Sequence, residues 1–381
     1  MDLSLSPEQR LLRDTVDRLI VDTYRFEQRK AYMRSPAGFS RDNWRRFADL
    51  GLLGLPFAES FGGIGGGGVE VMLVMNAFGR GLVVEPYLAS VVLCGGLLRE
   101  VAARQPIAEL IAGDTIFAFA HGERQARYAL ADVATTARRA AGGYVLDGRK
   151  TLVLNGDAAD TLLVSARTSG ASRDARGITL FLVDRDAKGV GVRGYPTNDG
   201  LRAAEIDLDG VRLGADAVLG EVDNAMPPIE KVVDQAIAAM VAEAAGIMAS
   251  LCDLTADYLK TRQQFGRAIG SFQALQHRFV EMLLASEQAK SMAYLAATAW
   301  DSNDAASRAR TVSAAKAEIG RGGRFVGQQA VQLHGGIGMT DEYSVGHYFK
   351  RLTMIDALFG NADHHLARFA ETIAAETAAA Q

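Results

Sequence analysis

Cysteine is nearly absent, and that is the first thing that narrows the reading. Two cysteines, Cys94 and Cys252, in 381 residues leave no room for a disulfide framework. Clustered metal ligands are missing too. Of six histidines only His364 and His365 are adjacent, with Asp363 beside them. Adjacent side chains on a helix diverge, so a solvated helix end is expected there rather than a shared metal. Charge of one sign is also scarce. A net charge of −4 argues against a nucleic-acid or membrane-surface partner. Charged residues are expected to interrupt every apolar run before it reaches membrane-spanning length. Met1-Asp2-Leu3-Ser4 lacks the basic and apolar regions of a signal peptide. Together these absences predict a cytoplasmic protein.

What is present is a large core and two changes of period. With 49 % apolar and 23 % charged residues, the chain has the balance of a globular protein of two or three subdomains. Ser6-Pro7-Glu8-Gln9 is a helix start, with a serine cap, proline at the first helical position and glutamine closing a capping box. Leu11, Leu12, Val16, Leu19 and Ile20 follow at helical spacing. Further helices are expected near residues 41–50 and 68–78. From about residue 114 the period becomes that of strands. Tyr144–Gly148 and Thr151–Gly156 read as two β-rich runs closed by turns, and Thr161–Ala166, Ile178–Val183 and Glu205–Leu208 are similar. Strands without intervening helices predict an antiparallel sheet or barrel. After Pro227-Pro228 a long helix is expected from Ile229 to Arg262, then helices near 273–301, 304–335 and 364–379, packed as a four-helix bundle. The expected divisions are 1–112, 113–224 and 225–381. After Ala374 the chain is an alanine-rich tail.

Gly62–Gly68 contains a formal G-x-G-x-x-G, but no strand precedes it and no βαβ unit follows, so a flexible loop is expected. No phosphate-binding lysine motif follows the glycines. Two later stretches carry more. Tyr258–Gln273, read Tyr-Leu-Lys-Thr-Arg-Gln-Gln-Phe-Gly-Arg-Ala-Ile-Gly-Ser-Phe-Gln, holds Arg262 and Phe265 at the expected end of the long helix. Gln332-Leu333-His334-Gly335-Gly336, followed by Ile337-Gly338-Met339, is a glycine-rich turn in a helical region. Taken alone, Arg262 and Phe265 are a helix C-terminal cation and a core aromatic, and Gly335-Gly336 is a helix cap. Together the two stretches resemble the flavin-contacting signature of the acyl-CoA dehydrogenases, and the resemblance extends over essentially the full chain.

That resemblance implies an N-terminal helical domain, a middle antiparallel β-domain and a C-terminal helical bundle. It also implies FAD at a dimer interface, an acyl-CoA substrate, an electron-transfer protein as acceptor, and a tetramer or a homologous partner subunit. Arg262 would meet the FAD pyrophosphate through bidentate, charge-assisted hydrogen bonds. Gln264, Phe265, Gln273, Gln332, Leu333, Gly335 and Gly336, with Phe119 and Leu154 of the β-domain, are the other cofactor candidates. Tyr128, Arg124, Arg127 and Asp234 are the substrate-side candidates. Arg124 and Arg127 could meet CoA phosphates or the far carboxylate of a dicarboxylyl chain; surface solvation explains them as well. A narrower resemblance, carried by Phe117–Tyr128, Gly200–Glu205 and Gly346–Phe359, is to the small subunits of pimeloyl-CoA dehydrogenase.

The family pattern then fails where the chemistry should be. The family's glutamate base, one residue before a glycine, falls on Phe359 in Leu358-Phe359-Gly360. The alternative family position falls on Ala236. The remaining carboxylate nearby in sequence is Glu243, seven residues along the same expected helix and ~10 Å along its axis; a buried or interfacial ion pair is the preferred reading of it. The threonine that serves the flavin ring falls on Gly122, and that of the tryptophan-isoleucine-threonine element falls on Leu154. The elements given to a neighbour's flavin are therefore kept, while those serving the chain's own are eroded. Three functions stay open: a subunit that completes a partner's active site, a self-sufficient dehydrogenase with a relocated base, and a noncatalytic acyl-CoA binding protein.

Overall fold

The computed structural model describes residues 4–379, with side chains described through residue 374, so most of the alanine-rich tail lies outside the described side chains. The N-terminal segment is helical: α1 (Pro7–Thr23), α2 (Phe26–Met33), α3 (Arg41–Asp49), α4 (Gly68–Gly81), a π-helix at Tyr87–Cys94, α5 (Gly95–Glu100) and α6 (Arg104–Ala112). The middle segment holds β1 (Phe117–Ala120), β2 (Thr136–Ala140), β3 (Gly143–Leu154), β4 (Thr161–Arg167), β5 (Ile178–Asp184), β6 (Val190–Pro196), β7 (Arg202–Gly214) and β8 (Val218–Leu219). The C-terminal segment runs through α7 (Met226–Thr261), a hairpin of β9 (Gln263–Gln264) and β10 (Arg267–Ala268), α8 (Gln273–Thr298), α9 (Ala305–His334), α10 (Ser344–Ala357) and α11 (Ala362–Ala379). The helical, β, helical order is the one the sequence implies.

By contacts the chain forms two compact units, one of residues 1–30, 67–83 and 237–381, the other of residues 31–66 and 84–236. In the first unit α9 is the hub, packing against α8, α10 and α11. Glycines on α9 allow this. A Cβ at Gly323 would crowd Leu352, and one at Gly327 would lie 2.6 Å from the Phe349 ring. Helices α4 and α7 cross just as closely, because a Cβ at Gly79 would lie 2.0 Å from the Glu243 carbonyl oxygen and one at Gly246 2.0 Å from that of Asn76. The α1 start forms its capping box: the Gln9 N–H donates to Ser6 Oγ at 3.2 Å, and the Ser6 N–H to Gln9 Oε1 at 3.0 Å.

The second unit is built on a sheet of order β6-β7-β3-β2-β4-β5-β8, with β1 added against β4. Most pairs are antiparallel, but β1–β4 and the short β2–β4 pairing are parallel. Residues 143–154 form one twelve-residue strand, not two runs with a turn, because bulges rather than a reversal absorb Gly148 and the Lys150–Val153 step. The glycine loop is not loose either. The amides of Gly63, Ile64, Gly65 and Gly66 donate to the carbonyls of Ala58, Gly54, Phe57 and Leu55. A Cβ at Gly63 would lie 2.1 Å from the Phe57 carbonyl oxygen, so close backbone approach is the reason for glycine there.

Other expectations are corrected in detail. The long helix starts at Met226 and stops at Thr261, and α10 is a fifth helix beyond the four expected. Helix α7 is long and apolar enough to cross a membrane by length and composition, against the expectation that charges interrupt every run. Between Asp234 and Asp253 the sole charge is Glu243. Its apolar window is 78 % buried within the protein, which marks a core helix. His365 is not at a solvated end but fully buried. Both cysteines are free and buried.

The core of the second unit contains a costly group. Glu85 is 5 % exposed; its Oε1 accepts from the Ser40 N–H at 3.2 Å, and its Oε2 has no partner. Burial raises its pKa to about 8. The folded state therefore holds a proton that the unfolded chain releases near pH 4.5, and stability falls as pH rises from about 4.5 to 8. Glu85→Gln is expected to remove that slope. Denaturant unfolding should find the variant equal to the parent near pH 4.5 and about 4 kcal/mol more stable at pH 8.

Candidate active site

The first unit brings together the two motif stretches that the sequence keeps far apart. Tyr258, one turn before Arg262 on α7, stacks on His334 at 4.4 Å between ring centroids, and His334 also meets Tyr343 at 5.2 Å. His334 immediately precedes Gly335, so the ends of α7 and α9 are held side by side. The His334 ring is buried and neutral, since burial lowers its pKa. Its Nδ1–H donates to the Ala330 carbonyl at 2.8 Å, while Nε2 is buried without a partner. Neither Tyr258 nor His334 stood out as a site residue in the sequence. Both lie inside the quoted motifs, but only the fold shows that they join them.

Beyond Thr261 the chain does not remain helical. Gln263–Gln264 and Arg267–Ala268 pair as a two-residue hairpin whose tip, Phe265-Gly266, has φ +53° and +77°. Two positive φ values in succession belong to a type I′ turn, and they are strained at a bulky residue such as Phe265. Phe265 is 90 % exposed, so it is no core aromatic. Its ring leans edge-on against Phe272 at 6.0 Å, and the Arg267 guanidinium lies over Phe272 at 4.1 Å. Arg262, Gln264, Gln273 and Gln332 are exposed, whereas the Leu333 side chain is buried.

Gly335 ends α9 with φ +64° and ψ −141°, a conformation open essentially to glycine alone. A Cβ at Gly266, Gly335 or Gly336 would meet nothing within 4 Å. No packing inside the chain demands glycine at 336; the open space beside it suits a group that approaches the backbone from outside. With a free guanidinium-bearing side chain and an exposed aromatic nearby in sequence, these residues fit the diphosphate and ring system of FAD.

The positions where a base is expected hold no carboxylate. Phe359 is half-buried in the turn between α10 and α11, with φ +54°. Ala236 is fully buried on α7. Glu243 is buried in the first unit with both oxygens engaged: Arg351 Nε donates to Oε1 at 2.6 Å and Nη2 to Oε2 at 2.8 Å. A carboxylate with both oxygens turned to one guanidinium has the geometry of a structural ion pair.

In the second unit, Phe119 is buried on β1 and stacks on His121 at 5.1 Å. Leu154 is half-buried at the end of β3, and Leu152, in the bulge, is exposed with φ +51°. The intervening loop is anchored from below. Lys150, wholly buried, donates to Glu123 Oε1 at 2.7 Å, the His121 carbonyl at 3.2 Å and Ser165 Oγ at 3.2 Å. Glu123 also accepts from the Ala134 and Thr135 N–H groups at 2.8 and 3.0 Å. Burial alone would raise the Glu123 carboxyl; the Lys150 charge and these donors override it and hold the pKa at about 2. Burial pushes Lys150 down to about 8. Burial and the Lys150 charge take His121 down to about 3, so its ring is neutral. Nothing in the sequence pointed to this pair: Glu123 lies within the Phe117–Tyr128 stretch but at no position with an expected role, and Lys150 lies outside every quoted motif. Arg124, Arg127 and Tyr128 stand exposed on the loop, and Arg127 has φ +49°. Asp234 is buried, 2 % exposed, on α7.

Comparison with known proteins covers nearly the whole chain. Residues 6–105 match the profile described as "Acyl-CoA dehydrogenase, N-terminal domain", residues 118–211 the middle domain and residues 229–374 the C-terminal domain. The acyl-CoA dehydrogenase FadE27 of Mycobacterium tuberculosis is 30 % identical over 384 aligned residues, covering 98 % of this chain and 99 % of the relative. The short-chain-specific acyl-CoA dehydrogenase of Clostridium acetobutylicum is 25 % identical, covering 95 % and 97 %. Among solved structures, a chain of the ChsE4-ChsE5 complex from Mycobacterium tuberculosis superposes with a TM-score of 0.85 at 27 % identity, covering 98 % and 99 %.

Proposed function

Because the chain belongs to the acyl-CoA dehydrogenase family, we propose that it is the accessory half of a two-chain, FAD-dependent acyl-CoA dehydrogenase, completing a flavin site whose catalytic base comes from a homologous partner. The observation that carries this reading is the contrast between the two sets of residues. Phe359 and Ala236 stand where a base would be, and Glu243 is locked to Arg351. Arg262, Phe265, Gly335 and Gly336 remain exposed and open. A relative known as one member of a two-protein complex, ChsE4-ChsE5, supports a heteromer of this kind.

The reaction class is that of the family: oxidation of a CH–CH bond of an acyl-CoA. When bound, FAD supplies the two-electron acceptor for the hydride leaving the β-carbon. A carboxylate must take the proton from the α-carbon as the double bond forms, and its pKa has to be matched to a weak C–H acid. This chain's residues do other work. Arg262 would pair with the cofactor's diphosphate, and Gly335 and Gly336 would admit it close to the backbone. Gln264, Phe265, Gln273, Gln332 and the Leu333 backbone would line the neighbouring chain's flavin, whereas Phe119 and Leu154 belong to the β-domain half-site that would serve a flavin of the chain's own. Tyr128, Arg124, Arg127 and Asp234 would border the acyl-CoA. Two cations on one exposed loop suit a dicarboxylyl chain such as pimeloyl-CoA. The electron acceptor would be an electron-transferring flavoprotein, and the compartment the cytoplasm.

The test is the visible spectrum of the chain purified alone and loaded with FAD, before and after anaerobic addition of pimeloyl-CoA. No bleaching of the flavin band is expected, and bleaching is expected once the partner chain is added. Bleaching by the lone chain at a rate comparable to the assembled enzyme would sink the accessory reading and favour a self-sufficient enzyme. No bleaching with any partner, but tight acyl-CoA binding, would favour a binding protein.

A further inference from the structure

The turn that carries Phe359 is held far more tightly than a connection between two helices requires. It joins α10 to α11 through Leu358-Phe359-Gly360-Asn361. Lys316, on α9 and fully buried, points its ammonium into the turn and donates to three main-chain carbonyls: Asp356 at 3.0 Å, Leu358 at 3.0 Å and Gly360 at 2.6 Å. An ammonium has three protons, and all are used. The Phe359 carbonyl, between the last two of these, accepts from His365 Nε2 at 3.1 Å. Since Nε2 carries the proton, Nδ1 accepts from Ser313 Oγ at 3.1 Å, which fixes the ring. Asp356 closes the turn from its other end, taking the Ala362 N–H on Oδ1 at 3.1 Å and Arg324 on Oδ2 at 3.0 Å.

Four carbonyls of a short turn are thus captured by side chains from α9 and α11. Meanwhile Phe359 is kept at φ +54° and Gly360 at φ +113°. A left-handed phenylalanine persists only where its surroundings over-determine it. Placement of a side chain to within a fraction of an ångström is what a reacting or ligand-touching position demands, and a plain helix connection has no need of it.

We propose that Lys316, seconded by His365, is a positioning residue that fixes the side chain at 359 for contact with the acyl-CoA. In this chain the fixed side chain is an apolar wall in place of a base, so a single substitution, Phe359→Glu, should suffice to supply a working base. The proposal rests on the accessory-subunit reading above for the role of position 359, but not for the rigidity of the turn. Lys316 touches neither substrate nor cofactor; it acts through residue 359.

Two measurements on the full chain separate these parts. In amide hydrogen exchange, Lys316→Met should speed exchange of the Leu358 and Ala362 amides at least tenfold, with the amides of α8 unchanged. Equal acceleration throughout the first unit, or none at 358 and 362, overturns the positioning role. If Lys316→Met does not fold, His365→Leu removes one donor and should speed the same amides at least threefold; no change there overturns it equally. In the second measurement, Phe359→Glu loaded with FAD should be bleached by pimeloyl-CoA at least 10²-fold faster than the parent. Adding Lys316→Met should lose at least tenfold of that gain while the apparent KM shifts less than twofold. A Phe359→Glu protein that holds FAD and acyl-CoA yet does not bleach overturns the proposal. A parent chain that bleaches as fast as Phe359→Glu overturns the accessory reading instead, and exchange at 358 and 362 then decides the positioning role.

Discussion

Arg351→Met is expected to lower the unfolding free energy by about 3–5 kcal/mol, among the largest effects of any single side chain here. The reason is asymmetry. The Glu243–Arg351 pair is buried at both ends and joined by two hydrogen bonds. Intact, such a pair roughly offsets its own desolvation. With Arg351 removed, Glu243 is a buried charge with nothing to answer it. Replacing both, as Glu243→Leu with Arg351→Met, should therefore recover most of the loss, to within about 1–2 kcal/mol of the parent. Urea unfolding of the two single variants and the double variant gives the coupling directly. The same variants speak to function. If Glu243 is a structural ion, Glu243→Gln in the assembled enzyme should destabilise it without abolishing flavin reduction. Complete loss of reduction with FAD retained would make Glu243 the base.

The second large effect is expected in the other unit. Lys150→Met leaves Glu123 among buried groups without its cation, at a cost of about 3–5 kcal/mol near neutral pH. Here pH supplies a control. In the parent, Glu123 is held at about 2 against an ordinary 4.5, so its contribution is complete above pH 4.5 and is lost as pH falls toward 2. The Lys150 pKa of about 8 works oppositely: the buried ammonium is a cost at and below pH 8, relieved as pH rises toward 10.5. In Lys150→Met the orphaned carboxyl can take up a proton, so the deficit should shrink steadily from pH 7 to pH 3. A deficit that stays constant over that range would mean lost packing rather than lost charge. Because Lys150 also holds the His121 carbonyl and Ser165, the loop carrying Arg124, Arg127 and Tyr128 should loosen in the same variant, visible as raised proteolytic cleavage there.

The legible and illegible parts of this chain divide along a physical line. Local chemistry was readable: the Ser6 cap, the change to period-two alternation near Phe117, the alanine-rich run that became α7. So were motifs whose residues sit close in sequence, such as Arg262-Gln263-Gln264-Phe265-Gly266. The structure still changed their form, since a helix end became a hairpin with Phe265 at its exposed tip. No side-chain cap marked the start of α10, whose N-cap position is Tyr343. Residues 143–154 looked like two strands because a bulge and a turn both recruit glycine. Partnerships across the chain left no trace in the sequence: Tyr258 with His334, Lys150 with Glu123, and Lys316 with the turn at 356–360. Each is a long-range pairing made by the fold, and a lysine destined for burial has the same letter as one destined for solvent.

The crossing of α4 and α7 carries a consequence of its own. Gly79 lies against the Glu243 carbonyl and Gly246 against that of Asn76, so backbone meets backbone with no side chain between them. Contacts of this kind have no slack: a side chain can change rotamer, but two peptide planes in contact cannot slide or rotate past one another without separating. Helix α7 is therefore indexed to α4 at a single register. A shift of α7 along α4 would have to separate these backbones first, which the hairpin and turns at its ends need not do. A single added methyl group at Gly79 or Gly246 would then be felt at a point where no chemistry takes place.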